Sequence, residues 1–584
     1  MSTPAPRTPR PRGTLRFPVA RLLHALVLAL AGVLVLSGCA SIPRSSPVQQ
    51  IQSQPDDESD ENYSFDALGP QPGSSPRGIV EGFLEAGVSL AQDYAVAREF
   101  MTPQLQNAWK GSSRTLVYDA SSIIEAGAEN RYTIQLEITA EVDANGIRTE
   151  YPSHSTRAVD VELSEIDGEW RISKAPDGIM LESSFFERIF TPRTLYFYDA
   201  SYKYLVPDIR WFSSRSGAAT SVVEALLEGP APYLENAVVS AFSSASSLVR
   251  PAVPVKDGTA TVDLNAETFV DSTDQAKQLM QQQLVASLDE LTSVERVQMQ
   301  SEEADVNLEQ VPPEFEKAER NPSTPDTLIG IDEGSLVYVK GGSVIPVGGV
   351  PDLSEYSPRD PAMSPVGNRY AFLNGKRSAL MTVDENGRVR QVATGTNLLR
   401  PSMDVAGWTW TADNSAKTSI LVAPADPAVS GETRPISVDW LKGQQVQSLR
   451  ISRDGARALL VVRDGSQTRV LVSGVVRDAD GVPRGLSEHP MEIFPSVPVN
   501  TALWNSDQSI IVARFSRTES VEAELLTFSS GSEPFSPLLG MVSLAAGPGD
   551  RRPVYAGTPE DLHTRVGNTW RKLDDFAADV SYPG

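Results

Sequence analysis

The chain has 584 residues, with 51 basic and 75 acidic side chains, a formal net charge of −24 and a single cysteine. Such a length exceeds one ordinary core and points to about three or four domains. The acidic balance excludes a nucleic-acid binder, which needs clustered Lys and Arg, and one cysteine excludes an intramolecular disulfide.

Arg7, Arg10, Arg12, Arg16 and Arg21 make a basic start with no acid before Cys39, and Leu22 to Leu36 is an apolar run broken only by His24. A basic segment, a short apolar segment and small residues after it predict a secretory signal peptide over residues 1–38. The run is about 15 residues, short of the roughly 20 that span a bilayer. Leu36-Ser37-Gly38-Cys39 resembles the lipobox of bacterial lipoproteins. That resemblance implies cleavage before Cys39, which becomes an S-diacylglycerol, N-acylated cysteine. The expected location is the extracytoplasmic face of the plasma membrane, held by a lipid anchor. Paired acyl chains make physical sense, because one chain alone binds a membrane only marginally. Loss of the leader leaves 46 basic against 75 acidic residues, net −29.

Residues 39–75 are rich in Ser, Pro and Gln and carry the acid run Asp56-Asp57-Glu58-Ser59-Asp60-Glu61. They cannot bury enough apolar surface to fold and predict a disordered acidic tether. The run lacks the alternating ligands and turn glycine of a calcium loop.

Residues 76–186 predict an α+β domain. Ile79, Val80, Phe83 and Leu84 fall at helical spacing, Tyr94 to Phe100 reads as a second helix, and Thr102-Pro103 as a helix start. Then the period changes to two: Tyr132 to Val142 alternates, Ala158 to Ile166 repeats the pattern, and Asp167-Gly168 turns it into Glu169-Trp170-Arg171-Ile172. Helices followed by an antiparallel sheet resemble the nuclear-transport-factor-2-like (NTF2-like) shape, either with a ligand cavity or with a closed core.

Residues 187–305 predict an α/β domain. Strands are expected at Thr194–Tyr198 and Leu205–Phe212, a helix from Ser221 ending at Gly229-Pro230, a strand at Gly258–Asn265, a long helix over Gln275–Leu291 and a strand at Val294–Met299. The helix ending Leu226-Leu227-Glu228-Gly229-Pro230, then Val262-Asp263-Leu264-Asn265, then a Gln-rich helix, is similar to the GerMN module, an extracytoplasmic, non-catalytic family. Asp263 and Asn265 on the motif strand fit either ligand contact or a strand-end turn. Residues 306–326, with Pro312-Pro313, Pro322 and Pro325, read as a linker or as a strap across the next domain.

Residues 327–584 contain weak repeats of a small turn followed by an apolar strand: Met363–Phe372, Trp410–Val422, Ile451–Val462 and Trp504–Ala513, with a fainter copy from Ala545. Aligned on Val366, Asp413, Asp454 and Asp507, the period is close to that of propeller blades, about 40 to 50 residues. An all-β propeller of five to seven blades is expected, closed by pairing its first and last strands; two packed β-sandwiches are the alternative. The turn Asp and Gly serve structure.

Nothing points to catalysis. His154, His489 and His563 are far apart, and no zinc, Walker, dinucleotide or nucleophile-elbow motif occurs. Ser201-Tyr-Lys203 and Ser415-Ala-Lys417 match a bare Ser-x-Lys without the surroundings that would activate it. The expectation is a non-enzyme with no cofactor and no metal site.

Lipobox, tether, NTF2-like domain, GerMN module and propeller, in that order, resemble the LpqB family of actinobacterial lipoproteins. The resemblance implies an accessory of the MtrA–MtrB two-component system. It would bind the extracellular domain of the sensor histidine kinase MtrB and influence cell-wall homeostasis and division. The alternative is a receptor for cell-wall glycan or a small ligand.

Overall fold

The computed structural model describes residues 67–584 apart from 127–129, 214–216, 314, 415–418, 426–431, 548 and 550–551. The leader, Cys39 and most of the tether lie outside the described residues.

The first helix, Pro76–Glu85, starts where the Ser75 hydroxyl accepts from the Gly78 amide, with Pro76 at the first position, and it buries Ile79, Val80, Phe83 and Leu84. A left-handed turn at Gln92–Tyr94 leads into the regular part of the second helix, and Thr102 caps the third at Pro103 as expected. Next to them lies a five-stranded sheet in the order Glu169–Lys174, Arg148–Ile166, Arg131–Asp143, Arg114–Glu125, Ile179–Glu182. Strict alternation over Arg131–Asp143 puts Tyr132, Ile134, Leu136, Ile138, Ala140 and Val142 into the core. Asp167 and Gly168 both take positive φ, the geometry of a tight hairpin turn.

The second domain has two four-stranded sheets and two main helices, Ala218–Glu228 and Asp274–Leu288. Thr259–Leu264 runs parallel to Arg296–Ser301, with the long helix as the crossover between them. Leu195, Phe197, Val223, Leu226, Val262, Leu284 and Met299 share its core. Gly229 ends the first of these helices at φ 106°. The Pro-rich segment is not a free linker: it joins the domain before it, and its Asp326 pairs with Arg552 of the domain after it. Glu319–Arg320 adds a parallel edge strand to Tyr204–Leu205 in the domain before it, and Gln282 of the long helix both donates to the Ala318 carbonyl and accepts from its amide.

Beyond Leu328 the chain forms six successive antiparallel sheets among the described residues, five of four strands and one of five, with a two-stranded ribbon of Ser520–Val521 and Leu538–Leu539 beside them. The terminal strand Ala578–Ser581 pairs with Leu328–Asp332 in the first of them. Each interface between neighbouring sheets has its own apolar cluster. Ile329 meets Phe372, Leu380 meets Met403, Trp410 meets Leu460, Val461 meets Ile510, and Ile511 meets Ala556. Tyr555 then meets Val337 of the first sheet, so the series returns to its start.

One repeat differs from its sequence alignment. In the second, fourth and fifth sheets the shared turn joins the first two strands, where the amides of Ser364, Ser452 and Asn505 reach across to Arg369, Arg457 and Ser509. The matching turn of the third sheet is at Asp404–Trp408, not at Asp413, which lies one turn later. Its Gly stands three residues after the Asp instead of next to it, so the motif is spelled differently while Gly407 still supplies the positive φ.

Candidate functional site

The first strand of each sheet faces the axis of the ring, with Ala578–Ser581 and the residues after it serving for the first sheet. They enclose a cavity of about 350 Å³, within the usual range of small-ligand sites. The N-terminal domain offers far less: a void of about 10 Å³ between Phe83, Leu116 and Val159, room for a single water.

The wall of the ring cavity carries four arginines, Arg377, Arg400, Arg450 and Arg453, and one aspartate, Asp360. Asp360 is taken up by two of them, Arg377 at 2.5 Å and Arg400 at 3.2 Å. Arg400 also reaches Asp579 at 3.7 Å and the Val580 carbonyl. Arg450 closes the strand Gln445–Ile451 and donates only to main-chain carbonyls, those of Arg400 at 3.0 Å and Leu449 at 2.8 Å. Arg453, just past that strand, makes longer bonds of 3.3–3.4 Å to the carbonyls of Asn505, Trp504 and Ala546. Among the described residues, no carboxylate comes within ion-pair distance of Arg450 or Arg453.

Burial pushes the Arg450 guanidinium down to about 9, with Arg400 acting in the same direction against Asp360. Burial likewise pushes Arg453 down to about 10, opposed by Asp507 and Asp454. Both values leave the groups charged at neutral pH. The wall also carries polar atoms without a partner among the described residues: Asn414 Oδ1, Gln447 Oε1 and Arg453 Nε. Trp504 and Phe515 supply its apolar side.

Three other largely buried arginines, Arg210, Arg457 and Arg477, are each paired with an aspartate. Asp404 accepts from the Trp408 amide and the Trp410 indole and meets Arg477 at 2.6 Å. Asp454 caps its turn through the Ala456 amide and meets Arg457 at 2.6 Å. Asp208 and Arg210, both fully buried, pair at 2.8 Å at the meeting of the domains. Arg210 donates to the carbonyls of Asn145 in the first domain and Gly229 in the second.

The residues singled out by sequence fall elsewhere. Cys39 and Lys417 lie outside the described residues. Ser201 and Lys203 sit in an exposed turn wound around Asp199. Asp263 and Asn265 bind neighbouring loops: Asp263 accepts from the Glu303 amide, and Asn265 spans Ser247, Thr268 and Ala245. His154 is exposed against Glu137. Among the described residues, no group of three His, Cys, Asp or Glu could hold a metal ion, and no helix is long and apolar enough to cross a membrane. The cavity arginines were not anticipated. Their signal is a charge inside an apolar strand run, Leu449-Arg450-Ile451, followed by Arg453.

Three family profiles match in tandem. "Lipoprotein LpqB, N-terminal domain" covers residues 69–187, "Sporulation and spore germination" covers 194–307, and "Lipoprotein LpqB beta-propeller domain" covers 334–583. The chain is similar to "Lipoprotein LpqB" of Streptomyces coelicolor, 26% identical across 98% of this chain and 99% of that one. It is also similar to the protein of that description from Mycobacterium bovis BCG, 26% identical across 93% and 94%. Among solved structures, the tandem GerMN domains of Bacillus subtilis GerM align over 26% of this chain and 59% of that chain, at 18% identity and TM-score 0.18. A streptogramin B lyase aligns over 38% and 70%, at 14% identity and TM-score 0.27.

Proposed function

From the membership of this chain in the LpqB lipoprotein family, we propose that it is a lipid-anchored, extracytoplasmic accessory of the MtrA–MtrB two-component system. It acts by binding the extracellular domain of the sensor kinase MtrB and so influences cell-wall homeostasis and division. Cys39 carries the anchor and residues 1–38 are the signal peptide. We read residues 76–186 as an NTF2-like domain and the series of sheets as a six-bladed propeller.

The observation that carries this reading is the end-to-end match to relatives called lipoproteins. Its physical support is a body with broad sheet surfaces and internal polar clusters that serve structure. Binding one state of the kinase more tightly than the other would shift its population. The anchor raises local concentration without changing intrinsic affinity.

The test is a pull-down with the chain starting at Ser41, using the extracellular domain of the cell's own sensor kinase and, in parallel, purified peptidoglycan. Saturable capture of the kinase domain supports the proposal; capture of peptidoglycan alone overturns the partner. Cys39→Ala should move the protein from the membrane to the soluble fraction and weaken signalling, with kinase affinity of the soluble part unchanged. Full complementation by the unanchored form would refute the role of the anchor.

A further inference from the structure

We propose that the cavity at the centre of the ring binds a small carboxylate-bearing ligand of amino-acid or short-peptide type, its carboxylate received by Arg450 and Arg453. The inference does not rest on the kinase reading and stands or falls separately.

The first support is the charge left over in the wall. Four arginines face one aspartate, and that aspartate is engaged by Arg377 and Arg400. Among the described residues, Arg450 and Arg453 bond only main-chain carbonyls. Unpaired charge in a partly desolvated wall is costly. Elsewhere in the chain, the largely buried Arg210, Arg457 and Arg477 are each paired with an aspartate. At the cavity, among the described residues, no carboxylate stands within ion-pair distance of Arg450 or Arg453, as expected where a ligand supplies the counter-charge.

The second support is the kind of anion that fits. Guanidinium forks match a carboxylate or a phosphate. The molecule as a whole carries a net charge of −24, so a multiply charged anion meets the greater long-range repulsion. A monoanionic carboxylate meets less. Asn414 and Gln447 leave buried amide ends without a partner; turned toward the ligand, they can serve N–H donors or carbonyl acceptors, and a peptide unit has both. Trp504 and Phe515 give its apolar part a surface. The volume of about 350 Å³ suits a ligand of dipeptide size.

The experiment is calorimetric titration of the full chain with N-acetyl-glycyl-glycine as the free acid, the same dipeptide as its C-terminal amide, and inorganic phosphate. The free acid should bind saturably, and the amide about tenfold or more weaker, since a charge-assisted pair is lost. Arg450→Met and Arg453→Met should each weaken the acid by about tenfold or more and leave the amide unchanged, while Arg450→Lys keeps part of the binding. The acid–amide comparison needs no variant, so it holds even if a substitution fails to fold. Equal binding of acid and amide, absence of binding at millimolar acid, or folded arginine variants that bind like the parent would overturn the proposal. Phosphate binding without dipeptide binding would overturn the carboxylate assignment.

Discussion

Asp208 and Arg210 show how much a single buried pair can be asked to hold. The Asp208 carboxylate also accepts from the Ala231 amide, and Arg210 extends to Asn145 and Gly229, so one guanidinium joins two domains and a helix end. Arg210→Met strands a buried carboxylate and should cost about 3–5 kcal/mol, read by denaturant unfolding; a loss under about 1 kcal/mol would contradict this account. His563 gives a pH effect. Burial holds its imidazole below the usual 6.5, with Lys572 adding to the shift and Asp561 opposing it. The unfolded chain therefore binds a proton near pH 6.5 that the native chain refuses until lower pH. Stability is full above 6.5 and falls as pH drops through the depressed value. His563→Gln should flatten the loss between pH 7 and 5 in thermal unfolding; an unchanged slope would argue against it. None of these residues announces itself in sequence, because pairing depends on which strands become neighbours.

The long Asp274–Leu288 helix makes the corresponding point for an element. In the sequence its glutamines served only as one mark of the GerMN resemblance. In the structure, Gln278, Gln281 and Gln282 donate to the carbonyls of Leu308, Val297 and Ala318, and Gln283, wholly buried, bridges the Ala241 amide and the Tyr196 carbonyl. The helix thus fastens segments on both sides of it. Gln283→Leu keeps the volume but orphans a donor and an acceptor, and should cost about 2–4 kcal/mol, checked by chemical denaturation against Gln278→Leu, which should cost less. Elements with a strong period were legible in the sequence: the buried face of Pro76–Glu85 and the alternation of Arg131–Asp143 were both read directly. The edge strand at Glu319–Arg320 was not, because two residues have no period to read. The Asp404 turn was missed because its glycine is displaced, and a pattern search follows spelling whereas the chain follows φ. The candidate cavity was legible only as a site that a ring of sheets could provide; its arginines depend on which strand faces the axis.

At the scale of the whole molecule, the second domain and the ring share one apolar seam. Val206, Ala231, Tyr233 and Leu234 pack with Leu459, Val461, Val470 and Val472, and Ser487 donates to the Glu235 carbonyl. Gly474 lies where the two meet: a Cβ there would come within 2.4 Å of Ala237 Cβ and 3.0 Å of the Tyr233 carbonyl. Gly474→Ala should push the domains apart at a cost of about 1–3 kcal/mol and raise protease cutting between them. Gly531→Ala, with nothing within 4 Å, is the control. Equal protease resistance in the two variants would mean that the seam is looser than its packing suggests.

The pairing of Ala578–Ser581 with Leu328–Asp332 also sets a schedule. A chain made from its N-terminus can complete its first two domains while the ring still lacks the strand that closes it. Until Ala578–Ser581 arrives, Leu328–Asp332 presents an unpaired edge and the cavity has no finished wall. Ala578–Ser581 is therefore the latch, and a chain cut before Ala578 would leave the edge of the first sheet open to any passing strand.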